Sequence, residues 1–179
     1  MHFGGEGQAA DLARGFKAAL DAIRSVRSGS ASPALTFGGP PVPGTNGITA
    51  AKLDAVFFPD GRSKGAAQSG MYKATIGRTT RMSCGCAVVN LMGINTWAGF
   101  CGSDEAAVVD GDFITFKGEL QPVLQALRSA GINIVAIHSH MEGEEPTAVF
   151  LHYWGKGPAE TLARGVRSAL DAQAKAGGK

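Results

Sequence analysis

The feature that most narrows the fold is residues 132–157, INIVAIHSHMEGEEPTAVFLHYWGKG, two strand-like segments separated by an acidic turn. Ile132 to Ile137 is an almost continuous apolar run, the pattern of a strand inside a sheet. Thr147 to Trp154 reads as its antiparallel neighbour, reached through Glu142-Gly143-Glu144-Glu145-Pro146. His138 and His140 are two residues apart, so a straight strand points both to one face. His152 lies on the neighbouring segment, where a hairpin sets it beside that pair.

The flanking sequence supplies partners for this pair of strands. Ala106 to Phe116 reads as a strand with a break or bulge at Asp110-Gly111. In the next segment, Gly118 to Ala130, residues Leu120, Val123, Leu124 and Leu127 make one apolar helical face. Pro122 falls in the first turn, and Gly131 stands where a helix ends. Strand, helix and strand in succession suggest a right-handed crossover. Pro158 to Ala174 closes the unit as a helix with Leu162, Val166, Ala169, Leu170 and Gln173 on one side. Further upstream, Ala50 to Phe58 reads as a short helix, and Gly70–Gly77 and Gly93–Phe100 as strands. The expected fold is α/β, more narrowly an α+β two-layer domain: a mixed sheet with helices packed on one face.

A second pattern bears on domain organisation. MHFGGEGQAADLARGFKAALDAI from Met1 and LHYWGKGPAETLARGVRSALDAQ from Leu151 agree at 12 of 23 positions without a gap, His2 with His152 included. Helix-biased composition explains scattered Ala and Leu matches but not the shared His-x-x-Gly-x-Gly prefix, so a partial internal duplication is expected. Residues 1–27 are then the remnant of a first copy, strand end plus helix; 28–47 a Gly/Pro-rich linker; and 48–179 the main domain. An end without its beginning leaves a sheet edge that a partner chain can complete, which points to a homo-oligomer.

Composition removes several function classes. The 17 basic and 15 acidic residues give a net charge of +2, and no Lys/Arg block or basic–aromatic interleaving argues for nucleic acid. No run of apolar residues is long enough for a membrane span. The opening MHFGGEGQAADL does not have a signal peptide's pattern. Three cysteines, Cys84, Cys86 and Cys101, are too few for a disulfide framework, and small buried thiols are the expectation for them.

The chemistry concentrates in the histidines. His138, His140 and His152 with a turn carboxylate form an N₃O set of the kind that holds Zn²⁺ or a related divalent transition ion. Glu145 precedes a proline and favours extended geometry, which suits it as the metal ligand. Glu144 then serves as general acid/base, with Glu145 competing for that role. The other reading has the histidines bonded to backbone at a sheet edge and the glutamates as a charged hairpin tip, the fitting account for Glu142. Asp110 and Asp112 either line the cleft or form an Asp-Gly turn. Asn95 and Trp97 are further candidate ligand contacts. Gly155-x-Gly157 before the last helix is a weak phosphate-cradle pattern. Ser139 faces away from both flanking histidines, against a serine triad.

Residues from about 50 to 173, together with the repeated end at 1–27, resemble a bacterial family of uncharacterised proteins that includes the mycobacterial LppY and LpqO lipoproteins. The resemblance rests on Gly111-Asp112, Glu119, Pro122, Leu127, the Gly131-to-His140 strand, the Glu-Pro turn and His152. The family's His-Asn-His-Met reads His138-Ser139-His140-Met141 here. It implies two diverged copies of one unit and an exported or periplasmic location, but no substrate. The functional expectation is a His/Glu metal site in a metal-dependent hydrolase or lyase acting on an unidentified small molecule. The alternative is a non-enzymatic metal or small-ligand binding module of the cell envelope.

Overall fold

A computed structural model describes residues 6–29, 41–68, 70–140 and 142–177. The chain divides into a unit up to residue 38 and a unit from residue 39. In the first, α1 (Ala9–Gly29) carries an apolar stripe of Leu12, Phe16, Leu20, Ile23 and Val26, all exposed. Its opposite side is laced by Lys17–Asp21 at 2.5 Å and Arg24–Asp21 at 3.2 Å, with Arg14 on Asp11. The strand stump expected at Met1-His2-Phe3, and residues 30–40 of the expected linker, lie outside the described residues.

The second unit runs, in order, α2 (Ala50–Phe57), β1 (Ala66–Gln68), β2 (Met71–Gly77), β3 (Thr80–Met82), β4 (Ala87–Val88), β5 (Asn95–Gly102), β6 (Ala107–Thr115), α3 (Leu120–Ser129), β7 (Asn133–His138), β8 (Glu144–Glu145), β9 (Val149–Gly157) and α4 (Ala159–Gly177). A six-stranded sheet has the order β1-β2-β5-β6-β9-β7, and a small one the order β4-β3-β8. The fold is α+β.

Two expectations about the sheet are corrected. It is not mixed, because every pairing between its strands is antiparallel. The connection through α3 does join two strands of like direction, but β9 inserts between them, so β6 and β7 never pair. Nor is β7 an interior strand. It stands at the edge with Val135 and Ile137 exposed, its apolar run serving as a border that β9 covers on one side only.

The Asp110-Gly111 break is absent as well. β6 pairs continuously with β5 on one side and β9 on the other. Gly111 is there for space: a Cβ would lie 2.3 Å from the Tyr153 ring and 2.4 Å from the Trp97 carbonyl oxygen. The Tyr153 hydroxyl donates to that carbonyl at 2.9 Å, so the glycine admits a ring that ties β9 to β5.

The helices cover one face of the large sheet, as their apolar stripes require. Leu53 and Phe57 from α2, Val123 and Leu127 from α3, and Leu162, Val166, Ala169 and Leu170 from α4 share one core with Phe100, Val109, Phe113, Leu151 and Tyr153. Asp104 starts two of these helices. Its carboxylate accepts from Thr49 N at 2.8 Å and Lys52 Nζ at 2.7 Å, and its carbonyl accepts from Ala159 N at 2.9 Å. Gly155 lets α4 approach, since a Cβ there would come within 3.0 Å of Leu162. That packing accounts for the Gly155-x-Gly157 pattern without a phosphate. On the opposite face a smaller core of Val88, Ile94, Ile114, Ala148 and Phe150 lies under the small sheet.

Glu119 fastens the end of this arrangement. It is 3% exposed, and its carboxylate accepts Arg78 Nη1 at 2.5 Å, Arg78 Nη2 at 3.0 Å, Phe116 N at 2.9 Å and Gln173 Nε2 at 2.9 Å. Burial alone raises its pKa, but the Arg78, Phe116 and Gln173 hydrogen bonds outweigh that and hold it below the ordinary 4.5. A carboxylate depressed on folding stabilises the fold above its unfolded pKa and loses that contribution as pH falls through the lowered value. Urea titrations at several pH values are therefore expected to show stability falling below pH 4.5, and Glu119→Gln to flatten that fall. Arg78→Met, which leaves the carboxylate buried without its cation, is expected to cost about 3 kcal/mol at neutral pH.

Candidate metal centre

The sheet face turned away from the helices gathers the acidic and imidazole groups. Asp112 on β6 stands directly opposite His152 on β9, and His152 stands opposite Ala136 on β7. On the other side of Asp112 is Trp97 of β5, whose ring carries Lys73 Nζ at 4.6 Å. In the neighbouring row, Ile114, Phe150 and His138 oppose one another.

A β-bulge decides that His138 belongs to this face. Ile134 opposes Tyr153 and packs on the helix-side core. Unbroken alternation from Ile134 would send Ala136 and His138 to the helix side too. The register instead shifts between Ile134 and Ala136, leaving Val135 as the extra residue. Ala136 and His138 then come round to the side of Asp112.

The geometry is close. One ligand atom each from Asp112, His138 and His140 lies within 4.8 Å of the other two. His140 Nε2 is 3.7 Å from Asp112 Oδ2, and His152 Nδ1 is 4.0 Å from Asp112 Oδ1. The His138 ring centroid is 5.0 Å from that of His140, nearly parallel at 13°, and 4.7 Å from that of His152. His140 lies flat on Phe150, 3.5 Å away and within 2° of parallel. Asp112 Oδ1, both ring nitrogens of His138 and His140 Nε2 are shielded from solvent, whereas the His152 side chain is 31% exposed at the rim. Partial burial raises the pKa of Asp110, on the same strand face, and the neighbouring His152 charge acts against that rise. Tyr153, beneath the sheet, is held well above its usual pKa first by burial and then by the Asp110 and Asp112 charges. It therefore remains a neutral donor.

The three histidines singled out in the sequence are thus brought together; the glutamates stand elsewhere. Glu145 is exposed on β8 opposite Arg81, and it lines a surface groove of about 490 Å³ with Phe116, Leu120 and Pro146. Glu144 is buried: Oε1 accepts from Ala148 N at 3.2 Å, and Oε2 has no hydrogen-bond partner among the described residues. Glu142 is exposed. Among the described residues the carboxylate that joins the imidazoles is Asp112. Its signal was present in the sequence, an Asp two residues from another on a strand, but the Asp-Gly dipeptide read equally well as a turn. Asn95 is structural, its Nδ2 donating to Asn90 O at 3.0 Å. Cys84 and Cys86 are exposed rather than buried, because the β3–β4 turn that carries them projects from the small sheet.

Phe150 is the floor of the site as well as part of the smaller core. Phe150→Ala is expected to destabilise the domain by about 3–5 kcal/mol in denaturant unfolding. It should also free the His140 ring, visible as a shift of its imidazole resonances.

Residues 61–172 match the protein-family profile described as Domain of Unknown Function (DUF1259). No curated protein and no solved structure shows a significant match. The matched span covers more than half of the chain and holds Asp112, His138, His140 and His152 together, and the chain belongs to the Domain of Unknown Function (DUF1259) family.

Proposed function

We propose that Asp112, His138 and His140 hold a divalent transition ion of the Zn²⁺ class and that the domain is a metal-dependent hydrolase. The convergence of the three ligand atoms within 4.8 Å on one shielded patch carries this reading. Two imidazoles and a carboxylate leave a tetrahedral ion one open position, which is where water is activated in catalytic sites. His152, at the rim and 4.0 Å from Asp112, would take the proton from such a water. Tetrahedral ligand atoms lie ~3.3 Å apart, so binding draws the set inward by side-chain rotation. Imidazole lone pairs lie in the ring plane, so the same rotation turns His138 and His140 out of their stack. Glu144, buried on β8, and Glu145, exposed beside it, are assigned no ligand role in this scheme.

The stacking itself favours a second reading. Rings already settled on Phe150 suit a non-enzymatic module that takes up a metal or small ligand reversibly. The LppY/LpqO resemblance and an export destination belong to either proposal. So does residues 1–27 as the end of a first copy. Its support is the 12 of 23 identities and a helix beginning at Ala9, 150 positions before α4 begins at Ala159. Residues buried in α4, such as Leu162, Val166 and Leu170, correspond to the exposed Leu12, Phe16 and Leu20 of α1. A second chain covering that stripe would make the protein a homo-oligomer.

Elemental analysis and calorimetric Zn²⁺ titration of untagged protein test the centre. We expect stoichiometric binding, weaker by ~100-fold or more in Asp112→Asn and in the His138→Ala/His140→Ala double variant, since even partners outside the ligand set contribute 10–100-fold. Affinity is expected to fall below about pH 6 as the imidazoles protonate. Folded wild-type protein without stoichiometric metal, or variants binding as tightly, overturns the centre. Full binding with loss of chromogenic-ester hydrolysis in His152→Gln supports the enzyme. Metal binding with no turnover in the wild type favours the binding module.

A further inference from the structure

The turn between β3 and β4 carries a second group of reactive side chains, apart from the histidine cluster. Its sequence is Met82-Ser83-Cys84-Gly85-Cys86-Ala87. Met82 N donates to Cys86 O at 2.8 Å and Gly85 N to Met82 O at 2.7 Å, closing a tight loop. Gly85 sits at φ +85°, a left-handed conformation that folds the chain back between the cysteines and that a side chain would oppose. Arg81 Nη1 reaches the Gly85 carbonyl at 3.4 Å, and Ser83 N donates to Gly143 O at 2.7 Å, so the loop is anchored from both ends. Both cysteines are exposed. They lie two residues apart on the same turn, where the Cys86 side chain lowers the Cys84 pKa and the Cys84 side chain raises that of Cys86.

The third cysteine is remote from this pair in the fold. Cys101 lies on β5 toward its Gly102 end, whereas the chain enters the β3–β4 hairpin near the Asn95 end, ~20 Å away along the strand. A structural disulfide from the turn to Cys101 is therefore not what the pair is arranged for. Two exposed thiols two residues apart, on a tight turn closed by backbone hydrogen bonds, are arranged to react in sequence.

We propose that Cys84-Gly85-Cys86 is a thiol–disulfide exchange site whose oxidant is an exposed disulfide of low molecular weight. The Cys84 thiolate attacks one sulfur of the disulfide, forming a mixed disulfide and expelling the first small thiolate, which takes up a proton. The Cys86 thiolate then attacks Cys84 Sγ, closes the Cys84–Cys86 bond and expels the second small thiolate. The protein loses two electrons and two protons, and the small disulfide gains them as two thiols. The internal disulfide closes a small ring, so it is readily reduced again by excess thiol, as strained and exposed disulfides are.

The test uses the full chain carrying Cys101→Ser, with hydroxyethyl disulfide as probe and a chelator present, so that its outcome is independent of the histidine centre. Intact mass is expected to show a protein two hydrogens lighter with no adduct, reversed by dithiothreitol. With Cys86→Ser added, the reaction should halt at one stable adduct on Cys84. With Cys84→Ser instead, the reaction should halt at one stable adduct on Cys86. Circular dichroism of these surface variants serves as the folding control. Two adducts on the parent protein, or one that persists there without loss of the two hydrogens, overturns the proposal.

Discussion

The pairing of β9 with β6 is the constraint on which the rest of the domain depends. Along this ladder Gly111 opposes Tyr153 and Asp112 opposes His152, so adjacent residues serve opposite faces. On the helix side, the Tyr153 ring fills the space beside Gly111 and bonds to the Trp97 carbonyl of β5. On the other side, the same register sets a carboxylate against an imidazole. A slip of β9 by one residue would turn His152 into the core of the helix layer and push Tyr153 out to solvent, while Asp112 kept its face. The core that demands the register therefore also sets the spacing of the site.

The two faces are stabilised by different means. The helix side is a continuous apolar core to which α2, α3 and α4 all contribute. The opposite side has only a small core, and Phe150 belongs both to it and to the ring stack of the histidines. Where the large sheet meets α3 and α4, the buried Glu119 carboxylate joins Arg78, Phe116 and Gln173, with Arg78 lying 4.0 Å over the Phe116 ring. Such a network orients its elements only while every member is satisfied. The polar groups thus gather on the face away from the helices and at the Glu119 end, and the helix-side core is left almost purely apolar.

Much of this was legible in the residues. Periodic apolar positions located α3 and α4, alternation located β2, and a run of strand-formers located β9, because each must turn an apolar face inward. The histidine grouping was also readable, from two imidazoles two residues apart and a third on the adjoining strand. The carboxylate was readable only as one of two alternatives, with Asp112 either in the cleft or in a turn. Glu144 and Glu145 are near the histidines in sequence, whereas Asp112 is far from them and becomes their neighbour only because β9 enters between β6 and β7. The thiols were misjudged for a related reason: a cysteine's burial depends on whether its turn is covered, and nothing in Cys-Gly-Cys says that its hairpin projects.

The sequence by itself determined the elements, their apolar faces and the kinds of chemistry on offer, since these follow from local periodicity and side-chain identity. Only the tertiary structure decided which groups meet. Strand order, the Val135 bulge and the edge position of β7 are choices among pairings that leave local patterns unchanged. A bulge of one residue reverses the face of everything after it, so the meeting of His138 with Asp112 is a property of the assembled sheet.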